Sequence, residues 1–124
     1  MPGMGIESYK LGVKGEEAAC RYLEQKGFQI IERNFHSQQG EIDLIGRDQQ
    51  YLVFIEVKAY SFRSLTSPLY AVRKSKRDSI IHAARSYLYQ KKLRAPLCRF
   101  DVIAIYRKIS GQTVIDHIKN AFGV

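Results

Sequence analysis

The sequence contains few of the residues that build disulfide frameworks or transition-metal sites. It has two cysteines, three histidines and no tryptophan among its 124 residues. Cys20 and Cys98 lack the close spacing of metal ligands, so we expect two reduced core residues in a cytoplasmic protein. His36, His82 and His117 are equally scattered, and we expect each to be a surface or loop residue rather than a metal ligand.

Long apolar runs, repeats and low-complexity tracts are also missing. No apolar run approaches the roughly 20 residues that a helix needs to span a membrane. The N-terminus lacks the charged-then-apolar pattern of a secretion signal. A chain of 124 residues is long enough for one domain with a single core. We therefore expect a flexible N-terminal tail at residues 1–10 and a single domain at residues 11–124.

Acidic residues are scarce in the second half of the chain. The net charge is +8, and residues 57–124 contain 14 Lys and Arg but only 3 Asp and Glu. Residues 1–56 contain 6 Lys and Arg and 9 Asp and Glu. An excess of basic side chains favours a polyanionic partner such as nucleic acid. Basic domains also bind RNA or anionic membranes without chemistry, so the charge alone does not assign an activity.

A predicted hairpin at residues 40–58 organises the chain. Two runs rich in branched and aromatic residues, 41–45 and 51–58, flank a polar link, which predicts two paired strands. In the second strand, alternation places Glu56 and Lys58 on one face. In the first strand, it places Ile42 and Leu44 together on the face opposite Asp43.

The spacing of Asp43, Glu56 and Lys58 is typical of a metal-dependent nuclease. Mg²⁺ is bound by one or two carboxylates and keeps several waters. The bound ion activates a water and stabilises charge on a phosphoryl oxygen, while a lysine orients that water or neutralises developing charge. A simpler interpretation is a surface salt bridge at a strand end, which contributes little energy.

Two helices are expected to bring further side chains to this site. A helix at residues 11–26 places Glu16 in its apolar stripe, where a lone carboxylate is costly unless it is paired or bound to metal. The alternative for Glu16 is a first-turn glutamate favoured by the helix dipole. A second helix at residues 73–92 carries Lys76 on its apolar side, from which its ammonium reaches either the site or solvent.

Nucleic-acid contacts are expected after the hairpin. Residues 59–68 predict a long loop in which Tyr60 stacks on an unpaired base and Arg63 reaches a phosphate. Alternatively, the aromatic rings of this loop cover the sheet, or the loop docks a protein partner. The second helix has a basic coat, and the residues expected to touch phosphate there are Arg73, Lys74 and Arg77.

The remaining elements complete the order α-β-β-β-α-β-β. Strands are predicted at residues 28–35, 97–106 and 113–118, and residues 120–122 are expected to fold back onto the core. Asp101 lies in the middle of an apolar strand, so we expect it to pair with a basic group, either Arg99 or Arg77. This order resembles the restriction-endonuclease-like core, an α/β fold whose mixed central sheet of about five strands is flanked by helices.

Several stretches between Gly12 and Phe122 form a pattern far more specific than Glu-x-Lys alone. They are Gly15-Glu16, Ala19, Tyr22-Leu23, Gly27-Phe28, Asn34, 40–45, 53–58, Lys76, Ala84, Tyr87-Leu88, 99–102 and 117–122. In these stretches the chain resembles the bacterial YraN-type family of endonucleases in the PD-(D/E)xK superfamily. That family is similar to archaeal Holliday-junction resolvases.

This resemblance implies a set of roles. Glu16, Asp43 and Glu56 would bind Mg²⁺ or Mn²⁺, Lys58 would act on the attacking water, and Lys76 would support the site from the second helix. It also implies a DNA substrate, branched or single-stranded, and a two-fold homodimer that makes symmetric cuts. The alternative function is a non-catalytic nucleic-acid-binding module that keeps the fold and its basic face.

Overall fold

The computed structural model describes residues 15–60, 72–94 and 97–123, without the side chain of Tyr60. Helix α1 includes residues 15–25 and precedes three strands. The later elements are β1 (Gln29–His36), β2 (Glu41–Asp48), β3 (Tyr51–Tyr60), helix α2 (Lys74–Gln90), β4 (Leu97–Arg107) and β5 (Thr113–Phe122). The order α-β-β-β-α-β-β predicted from the sequence is confirmed. The predicted N-terminal tail lies outside the described residues.

The five strands form one mixed sheet in the order β1-β2-β3-β4-β5. Neighbouring strands are antiparallel except for β3 and β4, which are parallel. Two parallel neighbours cannot be joined by a hairpin, so the chain must cross over one face of the sheet between them. Helix α2 lies in this crossover and covers that face.

Two apolar clusters hold the helices against the sheet. The cluster on the α2 side contains Phe54 of β3 together with Ile80 and Tyr87 of the helix. The cluster on the α1 side contains Leu23 of the helix and Ile55 of β3. Because both faces are covered, the central strands are buried on both sides, which agrees with their nearly continuous apolar sequence.

The hairpin between β2 and β3 is tighter than the sequence suggested. Asp48 pairs with Tyr51, and the turn consists of residues 49–50 alone, with Gln49 at a φ of 56°. Residues 46–48, predicted as part of a polar link, belong to β2. These residues are part of the strand because β1 pairs with them and supplies their backbone partners, including Gln29 opposite Arg47.

The predicted alternation along β2 is wrong at Asp43. Ile42 packs in the cluster on the α2 side, whereas Leu44 packs on the α1 side. The regular pairing of β2 with β3 begins at Leu44 opposite Ile55, so Asp43 lies just beyond it. There the Asp43 carboxylate accepts a hydrogen bond of 2.8 Å from the backbone N–H of Val57. The sheet therefore opens between β2 and β3 at this residue.

The end of the chain is a longer strand than predicted. β5 continues to Phe122, whose buried ring stacks on Phe100 with 5.1 Å between the ring centroids. The pairing of β4 with β5 shifts register between Phe100 and Val102, which lets the strand continue past this irregularity. The expected C-terminal contact with the core is thus made by the strand itself. Ala59 and Tyr60 likewise belong to β3 rather than to a loop.

Asp101 is completely buried and is the centre of a polar network on the α1 side of the sheet. It accepts hydrogen bonds from Arg99 Nε at 2.9 Å and from the backbone N–H of Asn120 at 3.0 Å, and lies 2.7 Å from His117 Nε2. Of the two partners expected from the sequence, Arg99 is the one observed. The prediction of a surface position for His117 is wrong, since only 5% of its side chain is exposed. Cys98, expected in the core, is exposed.

This network predicts a pH-dependent loss of stability in the Asp101→Asn variant. Burial raises the pKa of Asp101, but the hydrogen bonds from His117, Arg99 and the Asn120 N–H outweigh it and leave the pKa below its usual 3.8. A carboxyl with a lowered pKa stabilises the fold above its unfolded pKa and loses this effect as the pH falls through the folded value. We expect Asp101→Asn to lower the free energy of unfolding by about 3 kcal/mol at pH 7.

Urea unfolding between pH 7 and pH 3 measures this difference, with the exposed Asp78→Asn as the control. The difference between wild type and Asp101→Asn should stay constant down to about pH 4 and then shrink. A difference of the same size at pH 3 would contradict the assignment.

Candidate active site

The opening of the sheet between β2 and β3 brings the predicted site residues together. Asp43 lies at the opening, held by the N–H of Val57. Glu56 precedes Val57 on β3, and Lys58 follows it. Side chains alternate along a strand, so Glu56 and Lys58 share the face that α2 covers, as the sequence predicted.

Glu56 is a buried carboxylate between two lysines. Its residue is 5% exposed, and its Oε1 lies 3.7 Å from Lys58 Nζ and 3.9 Å from Lys76 Nζ. Its other oxygen, Oε2, is buried and has no hydrogen-bond partner among the described residues. Helix α2 thus directs Lys76 towards the sheet, where its ammonium faces Glu56 while its side chain stays 35% exposed.

Asp43 and Glu56 are neighbouring acids, and their carboxylates repel each other when both are ionised. Burial raises the pKa of Glu56 most strongly, the nearby charge of Asp43 raises it further, and Lys76 and Lys58 lower it, which leaves it at about 8. Burial also raises the pKa of Asp43. The hydrogen bond from the Val57 N–H, a contact with Glu56 and the charge of Lys76 lower this pKa, but burial outweighs them. With a pKa of about 8, Glu56 is the side chain of the pair that keeps its proton at neutral pH in the absence of a metal ion.

Glu16 approaches the same opening from α1. Burial raises the pKa of Glu16, and the charge of Asp43 raises it further, while a hydrogen bond with the Asn34 side chain lowers it. Asn34 belongs to the family pattern noted in the sequence, but it was given no role at the site there. Its φ of 53° is unusual in a strand, and its neighbours in β1 pair with the residues on either side of Asp43. An isolated asparagine in a strand was the signal available.

The carboxylates fit a hard divalent cation as a pair. No cluster of three or more His, Cys, Asp or Glu side chains suited to a metal occurs among residues 15–60, 72–94 and 97–123. Magnesium does not need three, because it is commonly bound through one or two carboxylates, with waters and substrate phosphates as its other ligands. Oε2 of Glu56, which has no hydrogen-bond partner in the described part of the chain, suits such an ion, and Glu56 would release its proton to bind it.

The predicted nucleic-acid contacts are only partly within the described residues. Arg73 and Lys74 are exposed at the start of α2. Arg77 is partly buried, and its Nε has no partner among the described residues. Arg63 and the side chain of Tyr60 lie outside them.

Fold and site together define a three-layer α/β protein with a carboxylate pair and two lysines at an opening of its central sheet. The chain belongs to the uncharacterised protein family UPF0102, which matches residues 15–105. It is 45% identical to a UPF0102 protein of Marinobacter nauticus over 114 residues, covering 92% of this chain and 93% of the relative. It is 43% identical to a UPF0102 protein of Geotalea daltonii, covering 98% and 97%. A UPF0102 protein of Chlorobium phaeobacteroides is 41% identical, with 96% and 98% covered.

Across the described part of the chain, no helix is long and apolar enough to cross a membrane.

The protonated carboxylate pair predicts that Glu56→Gln stabilises the protein in the absence of metal, increasingly as the pH rises. The pKa of Glu56 is raised to about 8 from 4.5. A raised carboxyl pKa means that the unfolded chain releases its proton first, so the wild type loses stability between these two pH values. Glutamine has no proton to release, and we expect a relative gain of about 1 to 3 kcal/mol at pH 8.

Unfolding in urea with EDTA, from pH 5 to pH 8.5, measures the gain, and Glu17→Gln, an exposed acid on α1, is the matched control. Added Mg²⁺ should reduce the gain, since the ion stabilises only the wild-type carboxylate. A gain that does not change with pH would show that Glu56 is already ionised at pH 5.

Proposed function

We propose that this protein is a metal-dependent endonuclease that hydrolyses phosphodiester bonds in DNA with Mg²⁺ or Mn²⁺. The observation that carries the proposal is the buried Glu56, which lies next to Asp43 and two lysines and has one oxygen without a partner among the described residues. The likeness of the Asp43, Glu56 and Lys58 pattern to PD-(D/E)xK nucleases supports the same conclusion.

A purely structural role does not explain this arrangement. A buried acid stabilises a fold only when its polar atoms are satisfied, and each unsatisfied one costs about 1 to 3 kcal/mol. Burial and the nearby charge of Asp43 instead raise the cost of ionising Glu56. Carboxyl groups that have strongly shifted pKa values and lie in a cleft are characteristic of functional sites.

The residues of the chain have distinct roles in this proposal. Asp43 and Glu56 would hold the metal ion, which when bound supplies an activated water and stabilises the charge on the phosphoryl oxygens. The Val57 N–H fixes one Asp43 oxygen at 2.8 Å, so the other remains available. Lys58 would orient the attacking water, while Lys76 balances the negative charge that develops on the phosphate. Glu16 would bind a water or the metal from the α1 side.

The basic surface of α2 supports a polyanionic substrate. Lys76 faces the site, while Arg73, Lys74 and Arg85 are exposed on the same helix. Cations beside a phosphodiester raise its local concentration and release counterions on binding. This surface would serve a non-catalytic nucleic-acid-binding module equally well. The carboxylate pair favours the nuclease, because a protein that only binds DNA gains nothing from acids beside phosphates.

The Asp43→Asn substitution distinguishes a nuclease from a non-catalytic nucleic-acid-binding module. We expect it to reduce metal-dependent cleavage by at least about 100-fold, since the neutral amide is a poor ligand for a hard cation. Binding should be unchanged or tighter, because a negative charge near the phosphates is removed. Cleavage of labelled duplex, single-stranded, flap and four-way-junction DNA in Mg²⁺, Mn²⁺ or EDTA measures the first effect, and fluorescence anisotropy measures the second.

The control is Asp78→Asn, which removes an exposed acid from α2. Cleavage that persists in Asp43→Asn would refute the assignment of this site. Tight binding without cleavage of any substrate by the wild type would favour the binding module.

Lys76 and Lys74 form a matched pair for testing the role of α2. Both are lysines in the first turn of the helix, but only Lys76 contacts Glu56. Lys76→Met should lower kcat by about 10-fold or more with little change in DNA affinity, as expected for a group that acts on developing charge. Lys74→Met should weaken binding uniformly and reduce the salt dependence by about one counterion, with kcat preserved. Equal effects of the two substitutions on kcat would contradict a specific role for Lys76.

A further inference from the structure

A polar cleft begins beside the candidate active site. It lies between the β1–β2 loop, residues 37–40, and helix α2. The inner part has a volume of about 390 Å³ and is lined by this loop together with Glu41, Lys76 and Ser79. The outer part, about 630 Å³, shares residues 36–39 with the inner part and adds Ser86 and Gln90 of α2. We call the two parts together the loop–helix cleft.

The loop–helix cleft is connected directly to the proposed reaction site. Lys76 lines its inner part, and the same ammonium lies 3.9 Å from Glu56 Oε1. A nucleic-acid strand with its scissile phosphate at Asp43 and Glu56 therefore has this cleft beside the next nucleotide.

The lining is held in place by the fold. A Cβ atom at Gly40 would lie 2.7 Å from the backbone oxygen of Ser79, so only glycine lets the loop pack this closely on α2. The Ser37 hydroxyl donates to Gly40 O at 3.1 Å within the loop. The Ser86 hydroxyl donates to Gln39 Oε1 at 3.5 Å across the cleft. These contacts fix the backbone of the loop and the side chain of Gln39, so this part of the lining loses little entropy when a ligand binds, whereas Gln38 and Gln90 are exposed side chains.

The chemistry of the lining differs from that of the α2 surface. Among the described residues that line it, Lys76 at the inner end is the one Lys or Arg, and His36 Nδ1 lies 3.1 Å from Glu41 Oε2. The other lining side chains are neutral hydroxyls and amides, among them Gln38 and Gln90. Grooves that track a phosphate backbone are lined with Lys and Arg, whereas amides and hydroxyls pair with the edges of bases.

We propose that the loop–helix cleft binds a nucleobase next to the scissile phosphate, with Gln38, Gln39 and Gln90 as the groups that hydrogen-bond to its edge. This inference rests on the proposed nuclease function and specifies its substrate. A base in a duplex is stacked and has its pairing edge occupied, so it can enter a cleft only when it is unpaired or extruded. The substrate is therefore a strand with an unpaired nucleotide at the cleavage point, and a fully paired duplex is cleaved slowly.

The test compares an intact base with a missing one. The cleavage position on a labelled single-stranded DNA is mapped with the wild type, and an abasic analogue is then placed on either side of it. We expect the wild type to cleave one of the two abasic strands about 10-fold more slowly than the intact strand, the effect of losing one good base contact. The double variant Gln38→Ala/Gln90→Ala should cleave intact and abasic strands at the same reduced rate. Gln50→Ala, in the β2–β3 turn at the far end of β3, is the matched control and should behave as wild type.

A binding measurement separates failure of this inference from failure of the nuclease proposal. Anisotropy of fluorescent intact and abasic oligonucleotides in EDTA reports on the cleft without any cleavage. Discrimination by the wild type that the double variant loses supports the cleft, even if no DNA is cut and the nuclease proposal falls. Wild-type protein that ignores the missing base, or a double variant that discriminates as well as wild type, overturns the inference.

Discussion

The hydrogen bond from the Val57 N–H to Asp43 is the contact on which the candidate site depends. At this point β2 has left its regular pairing with β3, and a side-chain oxygen accepts from a strand N–H. This hydrogen bond gives the Val57 N–H an acceptor where the two strands separate, and it fixes the position of the Asp43 carboxylate. A buried N–H without an acceptor would be costly, so the acid has a structural role that an apolar residue could not fill. The rest of the site is built around the carboxylate held in this way.

The contrast between Asp101 and Glu56 shows which buried acid serves the fold. They lie on adjacent strands, where Asp101 pairs with Ile55, the residue before Glu56, and they point to opposite faces of the sheet. Asp101 is contacted by donors from three residues and has a lowered pKa. Glu56 faces another acid, has an oxygen without a partner within residues 15–60, 72–94 and 97–123, and has a raised pKa. The surroundings of Asp101 stabilise the folded chain. The surroundings of Glu56 are typical of a site that binds a ligand.

Local patterns in the sequence were sufficient for the order of the elements and for the face that Glu56 and Lys58 share. They failed where a residue's position depends on a distant partner. Ile42 and Leu44 point to different faces because β2 leaves its ladder with β3, and no local pattern marks that point. His117 is buried because Asp101, 16 residues away, provides a carboxylate for it. Alternation along a strand assumes an unbroken ladder, and that assumption breaks down at the site itself.

The parallel pairing of β3 and β4 explains why a lysine from a helix reaches the site. A parallel neighbour requires a crossover, and the crossover helix must cover the face of β3 that carries Phe54 and Glu56. The apolar face of α2 is held by Ile80 and Tyr87, and Lys76 lies one turn before Ile80 on the same side. Packing of the helix therefore directs the ammonium to Glu56 without any contact that serves only this purpose. The same packing places Ser79 against Gly40, so the reaction site and the loop–helix cleft share one supporting element, and a shift of α2 would disturb both together.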